Sequence, residues 1–296
     1  MDIPYIGELY SLGAAVTWAF SVILFKKSGE SVHPVALNMF KSILAIVLLL
    51  PVLFLRSEFL YDSASGADYI LLLFSGVIGI AIADSLVFKG LNLLGAGLSS
   101  IINCLYSPFI ILFSVLFIGE SLGCVQVLGV LLIISAVLTA TSLKGRGSVN
   151  RHDLILGVIC CSLAMAIMGI SIVMVKPLLD RSPVLWATGV RLVGGAAGLC
   201  VHLLIHPKRR AIIKSMICAR SWKYTLGGSF LGGYLAMILW VGGMKYTQAS
   251  TAAALNQTSN IFVFLFAAWF LKERITVLRA LAICAAVLGA LLVTFG

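Results

Sequence analysis

Two stretches of the chain decide its fold: Lys89–Glu120, KGLNLLGAGLSSIINCLYSPFIILFSVLFIGE, and Gly242–Glu273, GGMKYTQASTAAALNQTSNIFVFLFAAWFLKE. An offset of 153 positions aligns the two stretches and matches glycines, aromatic residues and polar residues, including Asn103 with Asn256. An asparagine within an apolar segment is energetically unfavourable, so its recurrence at one register is not expected of unrelated apolar helices. The chain therefore contains an internal duplication of a unit of about half its length. Such duplication is common in transporters.

The composition indicates an integral membrane protein. Of the 296 residues, 61% are hydrophobic and only 11% are charged, and the mean hydropathy is +1.11. Soluble domains are about 45–50% apolar and about 25% charged. Long apolar runs recur and alternating strand patterns are absent, which predicts membrane-spanning helices rather than a β-barrel. The net charge of +10 is expected in loops that fix topology and meet anionic lipid, not at a nucleic-acid interface.

The apolar runs predict an all-α integral membrane protein with ten transmembrane helices. Residues 1–143 would form the first five-helix repeat, residues 144–153 a polar linker and residues 154–296 the second repeat. Because five is odd, the second repeat would enter the membrane from the opposite side, giving inverted repeats. The predicted spans are 7–25, 34–55, 69–93, 98–118, 122–141, 154–178, 183–205, 222–244, 249–271 and 275–295.

Asp84 is the first candidate functional residue, because it lies near the middle of the third predicted span. A carboxylate at the bilayer centre costs about 2.5–3.5 kcal/mol on insertion scales. The functional interpretation is a proton-coupling site or a contact for a substrate amine. The structural alternative is an acid hydrogen-bonded to Ser85 or paired with Lys89, about one helical turn away.

Further polar and aromatic residues inside predicted spans are candidates for substrate binding. Polar groups within a membrane usually face the bundle interior or a wet cavity, although interhelical hydrogen bonding is the alternative explanation. Lys41 and Arg191 match at an offset of 150 and are possible anion contacts, or they extend to the membrane interface. The candidate substrate-binding residues are Trp18, Asn103, Tyr106, Ser107, Tyr234, Asn256, Gln257 and Asn260.

Several of these features resemble the EamA branch of the drug/metabolite transporter superfamily. They are the ten spans in two halves, Trp18 in the first helix, the Gly-x(5)-Ala turns before the fourth and ninth helices, and the turns Gly119-Glu120 and Lys272-Glu273. Ser107-Pro108 is typical of the family's fourth helix, whereas the ninth departs from the pattern with Asn260-Ile261. The resemblance covers essentially the whole chain. It implies an inner-membrane, alternating-access carrier of small metabolites that uses no bound cofactor.

The leading hypothesis is a secondary active exporter of amino acids or related compounds, driven by protons. An exchanger of phosphorylated sugars or nucleotide sugars is the alternative carrier, and a membrane scaffold without transport activity is the alternative of another class. The sequence has no HExxH or comparable metal-ligand spacing and no cluster of acids or histidines that an enzyme would need.

The orientation in the membrane remains open at this point. The Lys and Arg residues concentrate in the connections from odd-numbered to even-numbered helices, which favours those loops in the cytoplasm and both termini outside. The family resemblance implies the reverse.

Overall fold

The computed structural model of the protein describes residues 5–56, 58, 61, 63–118, 123–142, 150–179, 181–219, 222–246, 255–273 and 276–295. Within these ranges the regular elements are all helices. In chain order they are α1 (Ile6–Ser28), α2 (Pro34–Leu55), α3 (Gly66–Leu94), α4 (Ala96–Asn103), α5 (Tyr106–Ile118), α6 (Cys124–Ser142), α7 (Arg151–Val173), α8 (Lys176–Leu179), α9 (Val184–Ile205), α10 (Arg209–Ile217), α11 (residues 222–246), α12 (Ser259–Phe270) and α13 (Val277–Phe295).

The membrane-spanning character of the chain is confirmed. Eight helical segments in the described ranges are long and apolar enough to cross a bilayer, with α4 and α5 together forming one of them. The two further apolar helices α12 and α13 lie where the ninth and tenth spans were predicted. The all-helical membrane fold therefore holds, while the number of ten spans stays a prediction.

Local sequence signals explain where two of the helices begin. Pro34 occupies the first position of α2, where its missing N–H is not needed, and His33 accepts a hydrogen bond from the Val35 N–H at 3.3 Å. At the start of α3, Ser65 and Asp68 form a reciprocal capping box. These contacts satisfy amide groups that would otherwise lack partners at the ends of helices within a membrane.

The sixth predicted span, 154–178, was too long at its C-terminal end. The helix α7 ends at Val173, and the short helix α8 begins at Lys176. Pro177 explains the break, because it has no N–H to donate to the Val173 carbonyl. The helix α10, within the basic loop after α9, was not predicted either.

The two halves of the fold carry matching irregularities. A π-helical segment interrupts α3 at Val77–Ala83, and another interrupts α11 at Ser229–Leu235. These segments correspond at nearly the same offset that aligns the repeated stretches. Such π-helical segments are rare in proteins. Those that do occur are frequently found at functional sites.

Helix packing is reciprocal between the halves. The first helix of one half, α1, packs against α11 and α12, and its counterpart α7 packs against α3 and α5. Likewise α2 packs against α11, and α9 packs against α3, while α6 and α13 pack against each other. Glycines allow the closest approaches: a Cβ at Gly232 would lie 2.1 Å from Ser21 Oγ, and one at Gly194 would lie 2.3 Å from the Leu73 carbonyl oxygen. Exchange of equivalent contacts is what a two-fold relation between the halves produces.

Candidate substrate-binding site

A cavity of about 310 Å³ lies where helices of the two halves meet. The helices α1, α2, α3, α9 and α11 form most of its wall, and α12 with the residues just before it completes the wall. Five residues predicted for the site from the sequence line this cavity: Trp18, Lys41, Asp84, Arg191 and Asn256. Of these five, Trp18 and Asn256 are 238 positions apart in the chain and still converge on one space.

An ion pair between Lys41 and Asp84 lies in the wall of the cavity. Lys41 Nζ donates to Asp84 Oδ2, and the two side chains are only 9% and 17% exposed. The prediction of a local partner for Asp84, either Ser85 or Lys89, is therefore wrong. Ser85 Oγ donates a hydrogen bond to the Ala81 carbonyl at 2.6 Å instead. Extension of Lys41 to the membrane interface is also wrong, because an acid on the next helix holds its ammonium group inside the bundle.

Arg191 reaches the same cavity from α9. Its Nη2 donates to Ser171 Oγ at 3.1 Å, and its Nε is buried without a hydrogen-bond partner among the described residues. No carboxylate of the described chain forms an ion pair with it. With one carboxylate and two cationic groups in its lining, the cavity carries a formal charge of +1. Such a cavity can accept one anionic group.

Aromatic side chains supply part of the remaining wall. Trp18 lines the cavity from α1 and is 36% exposed, and Trp240 lines it from α11. Tyr234, a candidate from the sequence, is not among the residues that line this cavity. Its ring lies 5.9 Å from that of Phe230, one turn away in α11. Of the three aromatic candidates from the sequence, Trp18, Tyr106 and Tyr234, only Trp18 lines the cavity.

The polar residues of the fourth and ninth predicted spans divide into two groups. Ser107, Gln257 and Asn260 form a hydrogen-bonded chain between the halves: Gln257 Nε2 donates to Ser107 Oγ at 2.8 Å, and Asn260 Nδ2 donates to Gln257 Oε1 at 3.1 Å. The geometry of this group fits the structural alternative of interhelical hydrogen bonding. Asn256 lines the cavity, whereas Asn103 has a buried Oδ1 with no hydrogen-bond partner in the described chain.

Tyr106 lies beside this group at the start of α5, where it packs against the apolar cluster that contains Ala83 and Met165. It does not line the cavity. The preceding residues Cys104 and Leu105 separate α4 from α5, and Pro108 has no N–H to donate to the Cys104 carbonyl. The Ser107 N–H fills that place at 3.3 Å. The helix is also interrupted by a turn at Thr258, just before α12, so both halves have a break at this level.

A contact between the halves joins the chain just after α12 to the start of α4. The Glu273 carboxylate accepts hydrogen bonds from the backbone N–H groups of Ala96 at 2.8 Å and Gly97 at 3.0 Å, at the start of α4. The chain turns into α4 at Gly95, whose φ of +86° few other residues adopt. A carboxylate is a favourable partner for the free amides and positive dipole end of a helix N-terminus.

Comparison with known proteins identifies the family. The model of the EamA-like transporter family matches the chain twice, over residues 5–142 and 155–295. The chain belongs to the EamA-like transporter family. Relatives described as uncharacterized transporters occur in Archaeoglobus fulgidus (26% identity, 90% of each chain) and Methanothermobacter thermautotrophicus (24% identity, 93% of this chain and 82% of the relative). A solved structure, titled only as a crystal structure of a protein, shares the fold with a TM-score of 0.65 at 17% identity, over 97% of this chain and 95% of the other.

The EamA-like chain also has cavity residues that the sequence did not single out. Thr188 lines the cavity, and Asn38 contacts its wall at Ile80. Ser259, in the polar run that includes Asn256 and Asn260 and was a candidate from the sequence, lines it as well. Asn38 Nδ2 donates to the Ile80 carbonyl at 2.7 Å, within the π-helical segment, and to Ser85 Oγ at 3.1 Å. An asparagine inside the apolar α2 indicates a buried polar network from the sequence alone. The sequence does not indicate that its partner lies on α3.

Proposed function

We propose that this EamA-like transporter is a secondary active carrier that exports small metabolites bearing a carboxylate, with amino acids and related compounds as the first candidates. The observation that carries the proposal is the cavity's formal charge of +1, with Lys41 in an ion pair with Asp84 and Arg191 in no ion pair with an acid of the described chain. Asp84 also attracts Arg191 electrostatically, but one carboxylate cannot neutralise both cations. A guanidinium group recognises a planar carboxylate through two parallel hydrogen bonds.

The size and walls of the cavity support a small and partly apolar substrate. Its volume of about 310 Å³ lies at the lower end of the range for small-molecule sites, about 300–1,000 Å³. Two tryptophans in the wall, Trp18 and Trp240, offer large apolar faces to a substrate. Three polar side chains can form hydrogen bonds with it: Asn256, Thr188 and Ser259. An amino acid or an amino-acid derivative combines these requirements in one compact molecule.

The Lys41–Asp84 pair is the proposed site of proton coupling. When Asp84 is ionised, it neutralises Lys41, and the cavity needs one anion. When Asp84 takes up a proton, it no longer attracts the ammonium group of an amino-acid substrate, so that the proton and the substrate would occupy the site in turn, as export driven by an inward proton gradient requires. Proton uptake and substrate binding would thus be linked through one ion pair.

The contact of Glu273 with the start of α4 supports alternating access. It bridges the two repeats, and in the proposed cycle it would close access to the cavity from this end. Glu120, the repeat counterpart of Glu273, lies outside the described residues. We propose that it makes the equivalent contact at the opposite end when the Glu273 contact opens. The inner membrane, implied by the family resemblance, is the proposed location of the carrier.

The alternative substrates fit less well. A phosphorylated sugar carries a group with up to two negative charges, and only one of the two cations is available for it. A nucleotide sugar, with its base, ribose, diphosphate and second sugar, is too large for the cavity in this conformation. A scaffold without transport activity would not need a cavity that combines cations with aromatic walls.

Counterflow in proteoliposomes tests the proposal. The purified protein is reconstituted in liposomes preloaded with one unlabelled compound at a time, and entry of the same radiolabelled compound is measured. Amino acids and related carboxylates should enter in at least one case, and sugar phosphates should neither enter nor compete. Entry of sugar phosphates alone would favour the exchanger, and no entry of any compound would favour the scaffold.

A further inference from the structure

A second cavity, of about 700 Å³, lies away from the proposed substrate site. It is formed by the start of α2, the second half of α3 and the end of α9. Its lining separates into two chemical parts. Four basic or imidazole side chains contribute to it, His33, Lys89, His202 and His206, and the rest of the lining is largely apolar.

Two of the histidines are fixed in a form that donates hydrogen bonds. His33 Nδ1 accepts from the Val35 N–H at 3.3 Å, and His206 Nδ1 accepts from the Lys208 N–H at 3.1 Å. A neutral imidazole whose Nδ1 accepts must carry its proton on Nε2, where it can donate to another group. Both rings therefore offer an N–H donor to an anionic oxygen without first becoming charged.

The basic groups lie close together without a neutralising acid in the cavity lining. The rings of His202 and His206 are 5.4 Å apart. Partial burial lowers the pKa of His33 below the usual range for histidine, and the neighbouring His206, His202 and Lys89 lower it further. Glu30, in the turn before His33, interacts electrostatically with Lys26 instead. An anion in this cavity would relieve the repulsion among these groups.

The surroundings of the cavity are those of a membrane interface. The short helix α10 carries three cations, Arg209, Arg210 and Lys214, and its Ile213 and Ile217 are 43% and 68% exposed. A short helix of this composition suits the boundary between headgroups and acyl chains. Ser215 Oγ accepts a hydrogen bond from the His33 N–H at 3.1 Å, which fixes α10 beside the cavity.

The apolar part of the lining faces the outside of the helix bundle. Ile82, Val201 and Ile205 are 45%, 58% and 75% exposed, on surfaces that acyl chains cover in a bilayer. No three His, Cys, Asp or Glu side chains of the described chain come together as ligands of a metal ion would. The combination of a donor cluster with an exposed apolar wall fits an amphiphile rather than a metal ion or a water-soluble anion.

We infer that this cavity binds an anionic phospholipid, with its phosphate among His33, Lys89, His202 and His206 and an acyl chain against Ile82 and Val201. Basic pockets between transmembrane helices are known to hold anionic headgroups. The site does not depend on the proposed substrate. It links the lipid composition of one leaflet to the position of α3, the helix that also carries Asp84.

Native mass spectrometry of the purified, delipidated protein tests the inference. The protein is titrated with phosphatidylglycerol or phosphatidylcholine of identical acyl chains. We expect one tightly bound phosphatidylglycerol. Binding should be weaker by about tenfold or more in the double variant Lys89→Gln/His202→Gln, because that variant removes one ammonium group and one imidazole from the headgroup site. Arg151→Gln, which removes an exposed cation outside the cavity lining, should bind as the parent protein does.

A second variant separates the lipid from a free phosphate. Val201→Trp obstructs the acyl part of the cavity without changing its charge, and it should also weaken phosphatidylglycerol binding. Glycerol 3-phosphate at the same concentration should not displace the lipid. Any of four results would overturn the assignment. The two lipids could bind equally well, or the Arg151 variant could weaken binding as much as the Lys89/His202 variant. Val201→Trp could bind the lipid fully, or glycerol 3-phosphate could displace it.

Discussion

Asp84 is the residue whose environment differs most from what local sequence indicates. Its partner, Lys41, is 43 positions away on the preceding membrane helix, not one turn away on α3. The pair is largely buried, and loss of one partner of a buried ion pair leaves an uncompensated charge that costs about 3–5 kcal/mol. Structural and coupling roles of Asp84 therefore have to be separated by the choice of variants.

The first prediction separates these two roles of Asp84. Asp84→Asn should lower the melting temperature and abolish transport driven by a pH gradient, because it leaves Lys41 unpaired and removes the titrating group. The double variant Lys41→Met/Asp84→Asn should recover most of the melting temperature, since both charges are gone, but not the proton-driven transport. A pH-driven accumulation in the double variant equal to that of the parent would exclude Asp84 as the coupling group.

Asn103 and Asn256 provide a matched pair for the second prediction. They occupy equivalent positions in the two repeats, but only Asn256 lines the cavity. Asn256→Leu should weaken substrate binding by about tenfold, corresponding to a lost hydrogen bond of about 1.4 kcal/mol. Asn103→Leu should leave affinity within about twofold, because it removes a buried oxygen that has no described partner. Titration calorimetry measures both dissociation constants, and equal losses in the two variants would contradict the assignment.

At the scale of elements, the hydrophobic pattern predicted most of the helices that the structure describes but not their irregularities. The span lengths followed from long apolar runs, and the start of α2 followed from Pro34. The π-helical segments Val77–Ala83 and Ser229–Leu235 left no local signal, because their backbone geometry depends on packing against other helices. The break at the end of α7 did have a signal in Pro177, which a count of apolar residues overlooks.

The contact between Glu273 and α4 leads to the third prediction. Glu273→Gln should weaken the closure at this end, because a neutral amide binds the two helix N–H groups less strongly than a carboxylate. A single cysteine at Ser259, which lines the cavity, reports access in a background without the seven native cysteines. In the Gln variant an impermeant thiol reagent should label it severalfold faster from the side of the Gly95 turn.

The control for this measurement is Glu30→Gln, which removes an acid at the same end of the molecule without touching α4. It should leave the labelling rate unchanged. Faster labelling from both sides of the membrane, or no change from either side in the Glu273 variant, would show that the contact does not close this end.

For the whole molecule, duplication was the most informative property of the sequence. Matching polar residues at a fixed offset predicted two related halves, and the family model matches each half separately. The site was predicted only in part: its residue types were visible as polar groups in apolar spans, but their pairing was not. Lys41 with Asp84 and Gln257 with Ser107 are contacts between helices, and no periodicity within a helix specifies them.

Orientation in the membrane is the fourth prediction, and it too concerns the molecule as a whole. The charge distribution places the loop after α9 in the cytoplasm and residue 63, in the loop before α3, outside. A single cysteine at Ser63 in the cysteine-free background should react with an impermeant thiol reagent in intact cells. Protection of that cysteine until the membrane is permeabilised would instead support the orientation implied by the family.

The measurement that tests the central claim most directly is the affinity of purified protein for a transported carboxylate, compared between the parent and Arg191 variants. The fifth prediction is that Arg191→Gln raises the dissociation constant by about ten- to a hundredfold, since a hydrogen bond to a charged group contributes about 1.5–3 kcal/mol. Arg191→Lys should recover part of the affinity, because it keeps the charge without the paired donors. The amide or ester of the same compound should bind the parent weakly and be insensitive to Arg191. An unchanged dissociation constant in Arg191→Gln, with the protein folded, would contradict the account.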